Sequence, residues 1–143
     1  MRLWHESLLP WLPRAQLLGQ HRECCALRGL AWAKRHAVVD YVFRHPPEWL
    51  AVYHERVIAQ MGRRGYAVDP LWRDPAYRGR RCPPLAPDAG ALAEARARPV
   101  VYPEHDEAYR RACLENLRGK GIRIAGAPGM EQRQNFPENF PQV

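Results

Sequence analysis

The hydrophobic residues of this chain recur mainly at the spacing of an α-helix. The clearest stripe consists of four bulky residues, each four positions after the last: Trp49, Tyr53, Val57 and Met61. This pattern predicts an amphipathic helix over 47–64. Arg63 and Arg64 suit its last turn, and Gly65 can end it.

An earlier helix is predicted over 13–28, because proline suits a first turn and a glycine follows at position 29. Its apolar face comprises Leu17, Leu18, Cys24 and Cys25. Glu23 falls on roughly the opposite face, with the small residues Gly19 and Ala26 one turn to either side. Small neighbours leave room for another backbone, or for a ligand, to approach the carboxylate.

Weaker patterns complete a mainly α chain. They predict an irregular arm over 1–12, a helix over 31–43, a long loop over 66–88, a short helix from Asp88 to Arg96 and a last helix from Pro103 to Arg118. The arm is too apolar to stay loose in water, so it should pack against the helices. We expect one compact domain over 1–118, with about three main helices plus an extra C-terminal helix, and a flexible tail over 119–143.

The net charge and the distribution of apolar residues indicate the kind of binding partner and the cellular compartment. The chain has 143 residues and a formal net charge of +7, a balance that favours anionic partners, nucleic acid first. An ordinary basic surface would carry the same charge, so that alternative stays open. The sequence shows neither an apolar run of the ~20 residues that a membrane span needs nor a signal-peptide pattern, so we expect a soluble, cytoplasmic protein.

Four cysteines invite a metal interpretation. His21, Cys24 and Cys25 fall within about one helical turn, yet the chain lacks the paired C-x₂-C spacing of structural zinc sites. The adjacent pair Cys24-Cys25 is also a poor disulfide framework. We therefore expect core thiols and no metal or cofactor, and a small metal-binding protein remains a lesser hypothesis.

A basic segment lies within the predicted long loop, where the chain reads Tyr77-Arg78-Gly79-Arg80-Arg81. Guanidinium groups bind phosphates in bidentate fashion. We therefore predict that Arg78, Arg80 and Arg81 contact a nucleic-acid backbone. A solvated basic loop would have the same sequence, so the two interpretations stay side by side.

The pair Arg22-Glu23 lies about twenty residues after the N-terminus, whose α-amino group could react beside it. A free α-amino group has a pKa of about 7.7–8.0, so part of it is unprotonated near neutral pH and can act as a nucleophile. A carboxylate beside it could relay protons and stabilise a cationic intermediate. The pair could equally be a solvated or structural ion pair on an exposed helix face.

Several short motifs occur in an order and spacing that resemble a known family. They are Met1–Glu6, Leu17–Cys25 with its Arg-Glu pair, Lys34–His36, Arg64–Tyr66, Tyr77–Gly79, and Arg98-Pro99 followed by Tyr102. Together they resemble the phage-type pyrimidine-dimer DNA glycosylases, also called dimer-specific endonuclease V, and in particular a bacterial branch of uncharacterised relatives. The likeness runs from the N-terminus to about Tyr102.

The resemblance implies a compact all-α fold with the N-terminal segment threaded between helices. It also implies a DNA glycosylase with AP-lyase activity that needs no cofactor and acts on double-stranded DNA with a damaged pyrimidine, a pyrimidine dimer by default, or an abasic site; we expect a monomer. In this family an N-terminal amine attacks the sugar C1′, and a glutamate on the first helix is essential. The matching residues are Met1 and Glu23. Family members expose a threonine amine, whereas the bulky Arg2 should keep Met1 in place.

The resemblance also assigns DNA contacts. Arg22 matches the arginine beside the family's glutamate, Arg2 matches a basic residue after the nucleophile, and Arg28 matches a phosphate-binding arginine in a shifted register. Tyr102 stands where the family has an aromatic cluster that contacts DNA, and the thinning of this cluster implies a changed lesion preference. The alternative is a non-catalytic, basic nucleic-acid-binding domain in which Arg22-Glu23 is a structural pair.

Overall fold

A computed structural model describes residues 2–29 and 37–124 of the chain. The described residues form four α-helices: α1 (Arg14–Gly29), α2 (Pro47–Arg63), α3 (Ala89–Ala97) and α4 (Glu107–Gly119). They also form three 3₁₀ helices: Glu6–Trp11, Ala37–Arg44 and Pro70–Arg73. This element order confirms the predicted mainly α class. Within the described ranges, none of the helices is both long and apolar enough to cross a membrane.

Helices α1 and α2 form the centre of the fold, and the sequence predicted the ends of both to within one residue. The two helices pack against each other, and α2 also packs against α3. All four residues of the predicted α2 stripe are buried. Burying this stripe removes a large apolar surface from water, which is the main driving force for folding.

Aspartate caps decide where the two C-terminal helices begin. The Asp88 side chain caps α3, as predicted. Helix α4 begins at Glu107 rather than at Pro103, four residues later than predicted. The reason is a second cap, because the Asp106 carboxylate accepts a hydrogen bond from the Tyr109 backbone N–H at 2.8 Å.

Two predictions fall partly outside the described residues. The helix predicted over 31–43 is a 3₁₀ helix over Ala37–Arg44, and residues 30–36 lie outside the described part. The tail predicted over 119–143 is described only as far as residue 124. In that short stretch, Ile122 and Ile124 pack against the core.

The N-terminal arm packs into the fold, as its composition predicted. Leu3 and Leu12 are fully buried. The backbone of the arm is hydrogen-bonded to Gln20 of α1, Tyr53 of α2 and Tyr109 of α4. The arm is therefore threaded between helices, and its residues Leu3, Trp4 and His5 lie in the interior.

Three arginines bind irregular segments through their backbone carbonyls. Arg64 at the end of α2 binds the arm over 9–12, and Arg56 binds the end of α3 and the connection that follows it. Arg28 near the end of α1 binds the loop over 72–77. Carbonyls in such segments lack regular partners, and a guanidinium offers five N–H donors, so each arginine satisfies several carbonyls at once.

Candidate active site

The Glu23 face of α1 forms one wall of a polar cleft with a volume of about 350 Å³. Eight residues line this cleft: Arg2, Trp4, Gln16, Gly19, Gln20, Glu23, Asn116 and Lys120. Helix α1, the N-terminal arm and the end of α4 therefore meet at this point. The structure thus brings two of the predicted site residues, Arg2 and Glu23, into one site.

Gln20 holds the arm beside Glu23. It is buried and lies three residues before Glu23 on α1, so the two side chains share a helix face. Its Nε2 donates to the Arg2 carbonyl at 3.0 Å, and its Oε1 accepts from the Trp4 N–H at 2.6 Å. The Tyr53 hydroxyl lies 2.9 Å from the same Oε1 and 2.6 Å from the Trp4 carbonyl. These contacts fix the course of the arm where it passes α1.

The predicted nucleophile, the amine of Met1, lies outside the described residues. Arg2, the next residue in the chain, lines the cleft and is half-buried. The Arg2 guanidinium carbon lies 5.8 Å from the ring centroids of both Trp4 and Tyr109, and its Nη1 lies 3.8 Å from the sulfur of Cys113. Cation–π attraction and burial thus restrain the residue next to the amine.

Glu23 and Arg22 lie at different depths. Glu23 is half-buried in the cleft wall, whereas Arg22 is exposed. A Cβ atom built on Gly19 would lie 3.8 Å from Nη2 of Arg22. Arg22 therefore reaches past Gly19 at the edge of the cleft, and the missing side chain at position 19 keeps this wall open.

Two cleft residues from α4, Asn116 and Lys120, were missed by the sequence reasoning. Lys120 places its Nζ 5.4 Å from the centroid of the Trp4 ring. The Oδ1 of Asn116 is buried and has no hydrogen-bond partner among the described residues. Asn116 and Lys120 lie three and seven residues after Cys113, a spacing that puts all three residues on one face of α4. Nothing in that spacing shows that Glu23, roughly ninety residues earlier, lies across the cleft.

Arg28 is inside the protein rather than at a DNA-facing surface. It is 7% exposed and donates to the carbonyls of Trp72, Asp74 and Tyr77 at 3.0, 2.7 and 2.9 Å. Its Nη1 also lies 3.0 Å from Nδ1 of His54. Burial lowers the pKa of the guanidinium. Its donors are engaged within the fold, so we correct the sequence-based assignment: Arg28 is a structural clamp and not a phosphate contact.

Tyr102 is also in the interior. Its side chain is 0% exposed, with ring centroids of Tyr41 and Trp49 at 5.3 and 5.8 Å. Burial raises the pKa of its hydroxyl. A fully buried ring cannot touch DNA, so the contact expected from the family's aromatic cluster does not hold in this structure. Tyr102 packs the core instead.

The loop arginines lie outside the cleft. Gly79 turns the chain with φ of +93°, a backbone conformation that residues with a side chain rarely adopt, and a Cβ added there would lie 3.6 Å from the Trp72 ring. Arg80 and Arg81 are exposed, and Arg78 is half-buried beside an apolar pocket of about 180 Å³. The loop therefore offers two solvated guanidinium groups, and their contact with a nucleic-acid backbone stays a prediction.

A histidine–cysteine cluster occupies the opposite side of α1. Ligand atoms of His21, Cys25 and His54 lie within 4.8 Å of one another, and Nδ1 of His21 is 2.8 Å from Nε2 of His54. Burial lowers the pKa of both histidines. Because Arg28 donates to Nδ1 of neutral His54, this ring carries its proton on Nε2, the atom that a metal would need. The contacts fit a structural hydrogen-bond network, and Cys24 of the metal hypothesis faces the core.

The N-terminal half of the chain matches a known protein family. A family model described as pyrimidine dimer DNA glycosylase matches residues 1–74, just over half of the chain. The match contains Arg2, Arg22 and Glu23, and it ends before α3 and α4, so Asn116 and Lys120 lie beyond it. No curated protein and no solved structure shows significant similarity to the chain.

Proposed function

Because the chain belongs to the pyrimidine dimer DNA glycosylase family, we propose that it is a DNA glycosylase with AP-lyase activity on damaged pyrimidines, pyrimidine dimers by default. In this proposal the α-amine of Met1 is the nucleophile and Glu23 is the catalytic carboxylate. The cleft supports the proposal, because Arg2 and Trp4 of the arm and the helix face that bears Glu23 line the same polar cavity.

The proposed reaction proceeds through a covalent imine. The unprotonated amine forms a bond to C1′ as the bond from C1′ to the base breaks, and the base leaves with that electron pair and takes up a proton. The nitrogen then loses its two protons, and the bond from C1′ to O4′ breaks as O4′ takes up one proton and the sugar ring opens, which leaves an imine between the protein and C1′. Removal of a C2′ proton then expels the 3′ phosphate and nicks the strand. Water finally hydrolyses the imine and restores the amine.

Glu23 is suited to the charges and protons of this sequence. A carboxylate in a partly shielded cleft stabilises a cationic sugar more strongly than one in bulk water. It can also accept and return protons during the transfer steps. Gln20 holds the arm at Arg2 and Trp4, close to Met1 in the sequence. A nucleophile that is held in place before the substrate arrives lowers the entropic part of the barrier.

Phosphate binding is proposed for the cations around the cleft and on the basic loop. These are Arg2, Arg22, Lys120, Arg78, Arg80 and Arg81. The net charge of +7 supports this arrangement. Binding to phosphates releases counterions, so affinity should fall steeply as salt rises. The target nucleotide or its partner base must leave the duplex stack to give the amine access to C1′.

Borohydride trapping tests the proposal, because borohydride reduces an imine to a stable covalent bond. The full-length protein is incubated with duplex DNA that contains one abasic site or one pyrimidine dimer. We expect a protein–DNA adduct whose peptide map places the crosslink on Met1, and no adduct once the α-amine is blocked. An intact-protein mass spectrum shows beforehand whether Met1 is retained.

The variant Glu23→Gln separates the chemistry from DNA binding. It should bind DNA like the wild type and lose strand cleavage, because the amide neither takes up protons nor carries a charge. The matched control is Glu94→Gln, which changes an exposed glutamate of α3 and should keep both properties. A non-catalytic DNA-binding domain predicts salt-sensitive binding, equal behaviour of the two variants and no adduct on any abasic duplex.

A further inference from the structure

The arm over 2–6 is bound by side chains on both of its sides. Gln20 and Tyr53 bind it from α1 and α2. On the other side three side chains bind three further backbone groups, and we call this set the α4 socket: His105, Tyr109 and Cys113. All three lie beyond residue 74, outside the part of the chain that matches the family.

The α4 socket binds three residues within a four-residue stretch of the arm: Leu3, His5 and Glu6. The Tyr109 hydroxyl donates to the Leu3 carbonyl, the His5 N–H donates to Sγ of Cys113 at 3.4 Å, and the Glu6 N–H donates to Nδ1 of His105 at 3.1 Å. A shift of the arm by one residue would break all three hydrogen bonds. Buried backbone groups left without partners are costly, so the socket opposes any such shift.

The protonation states of the socket match these hydrogen bonds. Burial lowers the pKa of His105 to about 3, so its ring is neutral near neutral pH. Its Nδ1 accepts from the arm, hence its proton lies on Nε2, 2.7 Å from the Tyr41 hydroxyl. Burial raises the pKa of Tyr109 to about 12, so this hydroxyl keeps the proton that it donates.

We propose that the α4 socket sets the position of the catalytic amine, with Tyr109 as a positioning residue for imine formation. The inference rests on the proposed function, because it concerns the Met1 amine. Leu3 lies two residues after Met1, so under this proposal a displacement at Leu3 shifts the amine as well. A misplacement of about 1 Å can reduce a rate about a hundredfold. A helix outside the family-matched region thus completes the catalytic arrangement in this chain.

Two conservative variants test this inference in the full-length protein. Tyr109→Phe keeps the ring and removes the hydroxyl that donates to Leu3, a hydroxyl that is also hydrogen-bonded to the side chains of Tyr41 and Cys113. Its matched control, Tyr66→Phe, removes the hydroxyl of another half-buried tyrosine, one that is hydrogen-bonded to Arg64 at the end of α2. Both are compared with the wild type in single-turnover borohydride trapping on saturating abasic duplex, together with the Kd for that duplex and a thermal unfolding curve.

Tyr109→Phe should reduce the trapping rate about ten- to a hundredfold while Kd stays within about twofold of wild type. Tyr66→Phe should keep both values within about twofold. A purely structural role would lower the unfolding temperature and leave the trapping rate of the folded protein unchanged. Cys113→Ala, which removes a second socket contact, should reproduce the loss of rate. Wild-type trapping rates in both socket variants would overturn the proposal.

Hydrogen exchange of the arm separates the socket from the proposed chemistry. Tyr109→Phe should speed exchange of the His5 and Glu6 amides by about tenfold relative to Tyr66→Phe, because the arm is then held by fewer contacts. If the wild type forms no adduct while this exchange is faster, the proposed function fails and the positioning of the arm stands. If the wild type forms the adduct while exchange and trapping are unaffected by Tyr109→Phe, the proposed function stands and the socket fails.

Discussion

Replacing Arg28 with methionine removes the guanidinium and keeps a long apolar side chain. In the folded protein Arg28 donates to three carbonyls of the loop over 72–77 and lies 3.0 Å from a ring nitrogen of His54. Methionine donates to none of them, so all four acceptors lose their partner. The variant therefore shows whether Arg28 holds the loop, as its surroundings indicate, or binds DNA, as the sequence resemblance implied.

The expected loss of stability follows from the three carbonyls. An acceptor that is buried and left unsatisfied costs about 1–3 kcal/mol. The lower value applies here, because Trp72 and Tyr77 are half-buried and Asp74 is exposed, so water can reach part of the loop. Removing a buried cation also relieves some desolvation. We therefore expect the free energy of unfolding to fall by about 2–3 kcal/mol.

Urea unfolding followed by circular dichroism measures this change. The matched control is Arg22→Met, which alters an exposed arginine of the same helix and should stay within about 0.5 kcal/mol of the wild type. The salt dependence of DNA binding by folded Arg28→Met should equal that of the wild type. An Arg28→Met protein with wild-type stability, or with a salt slope reduced by about one phosphate contact, would refute the clamp assignment.

Three further changes test other parts of the structure. Gly19→Ala should raise the free energy of unfolding by about 0.5–1 kcal/mol and yet slow borohydride trapping, because its methyl group enters the cleft. Its control is Gly62→Ala, at an exposed helix position where nothing lies within 4 Å of the added Cβ, and this variant should be trapped at the wild-type rate. His105→Gln should flatten the acid side of the stability profile. The pKa of His105 in the folded protein is about 3, below its ordinary value of 6.5, so the contribution of this histidine to stability is fully present above pH 6.5 and is lost as the pH falls toward 3. At pH 5 the loss in the wild type is about 2 kcal/mol. Urea unfolding curves with the same pH dependence in both proteins would contradict this. Replacing Arg80 and Arg81 together with alanine should lower the salt slope of DNA binding by about 2 without changing the unfolding midpoint, and an unchanged slope would show that the loop does not contact phosphates.

The sequence alone was sufficient to predict the bounds of α1 and α2 and the face of α1 on which Glu23 lies. A helical stripe, a proline in the first turn and a closing glycine are all local signals, so they identify a helix without knowledge of its neighbours. Helix geometry also places Glu23 opposite the apolar face and one turn from Gly19. The start of α4 was missed for a local reason as well, because the Asp106 cap overrides the signal of Pro103.

Which residues meet Glu23 was decided only by the tertiary structure. Asn116 and Lys120 reach the cleft because the arm is threaded between α1 and α4, and contacts between segments roughly a hundred residues apart leave no trace in local spacing. Packing also decided the roles of Arg28, which is surrounded by carbonyls, and of Tyr102, which is enclosed by aromatic rings. A local pattern shows which chemistry a side chain can perform. Whether that side chain faces solvent, a cleft or the core depends on the distant segments that pack against it.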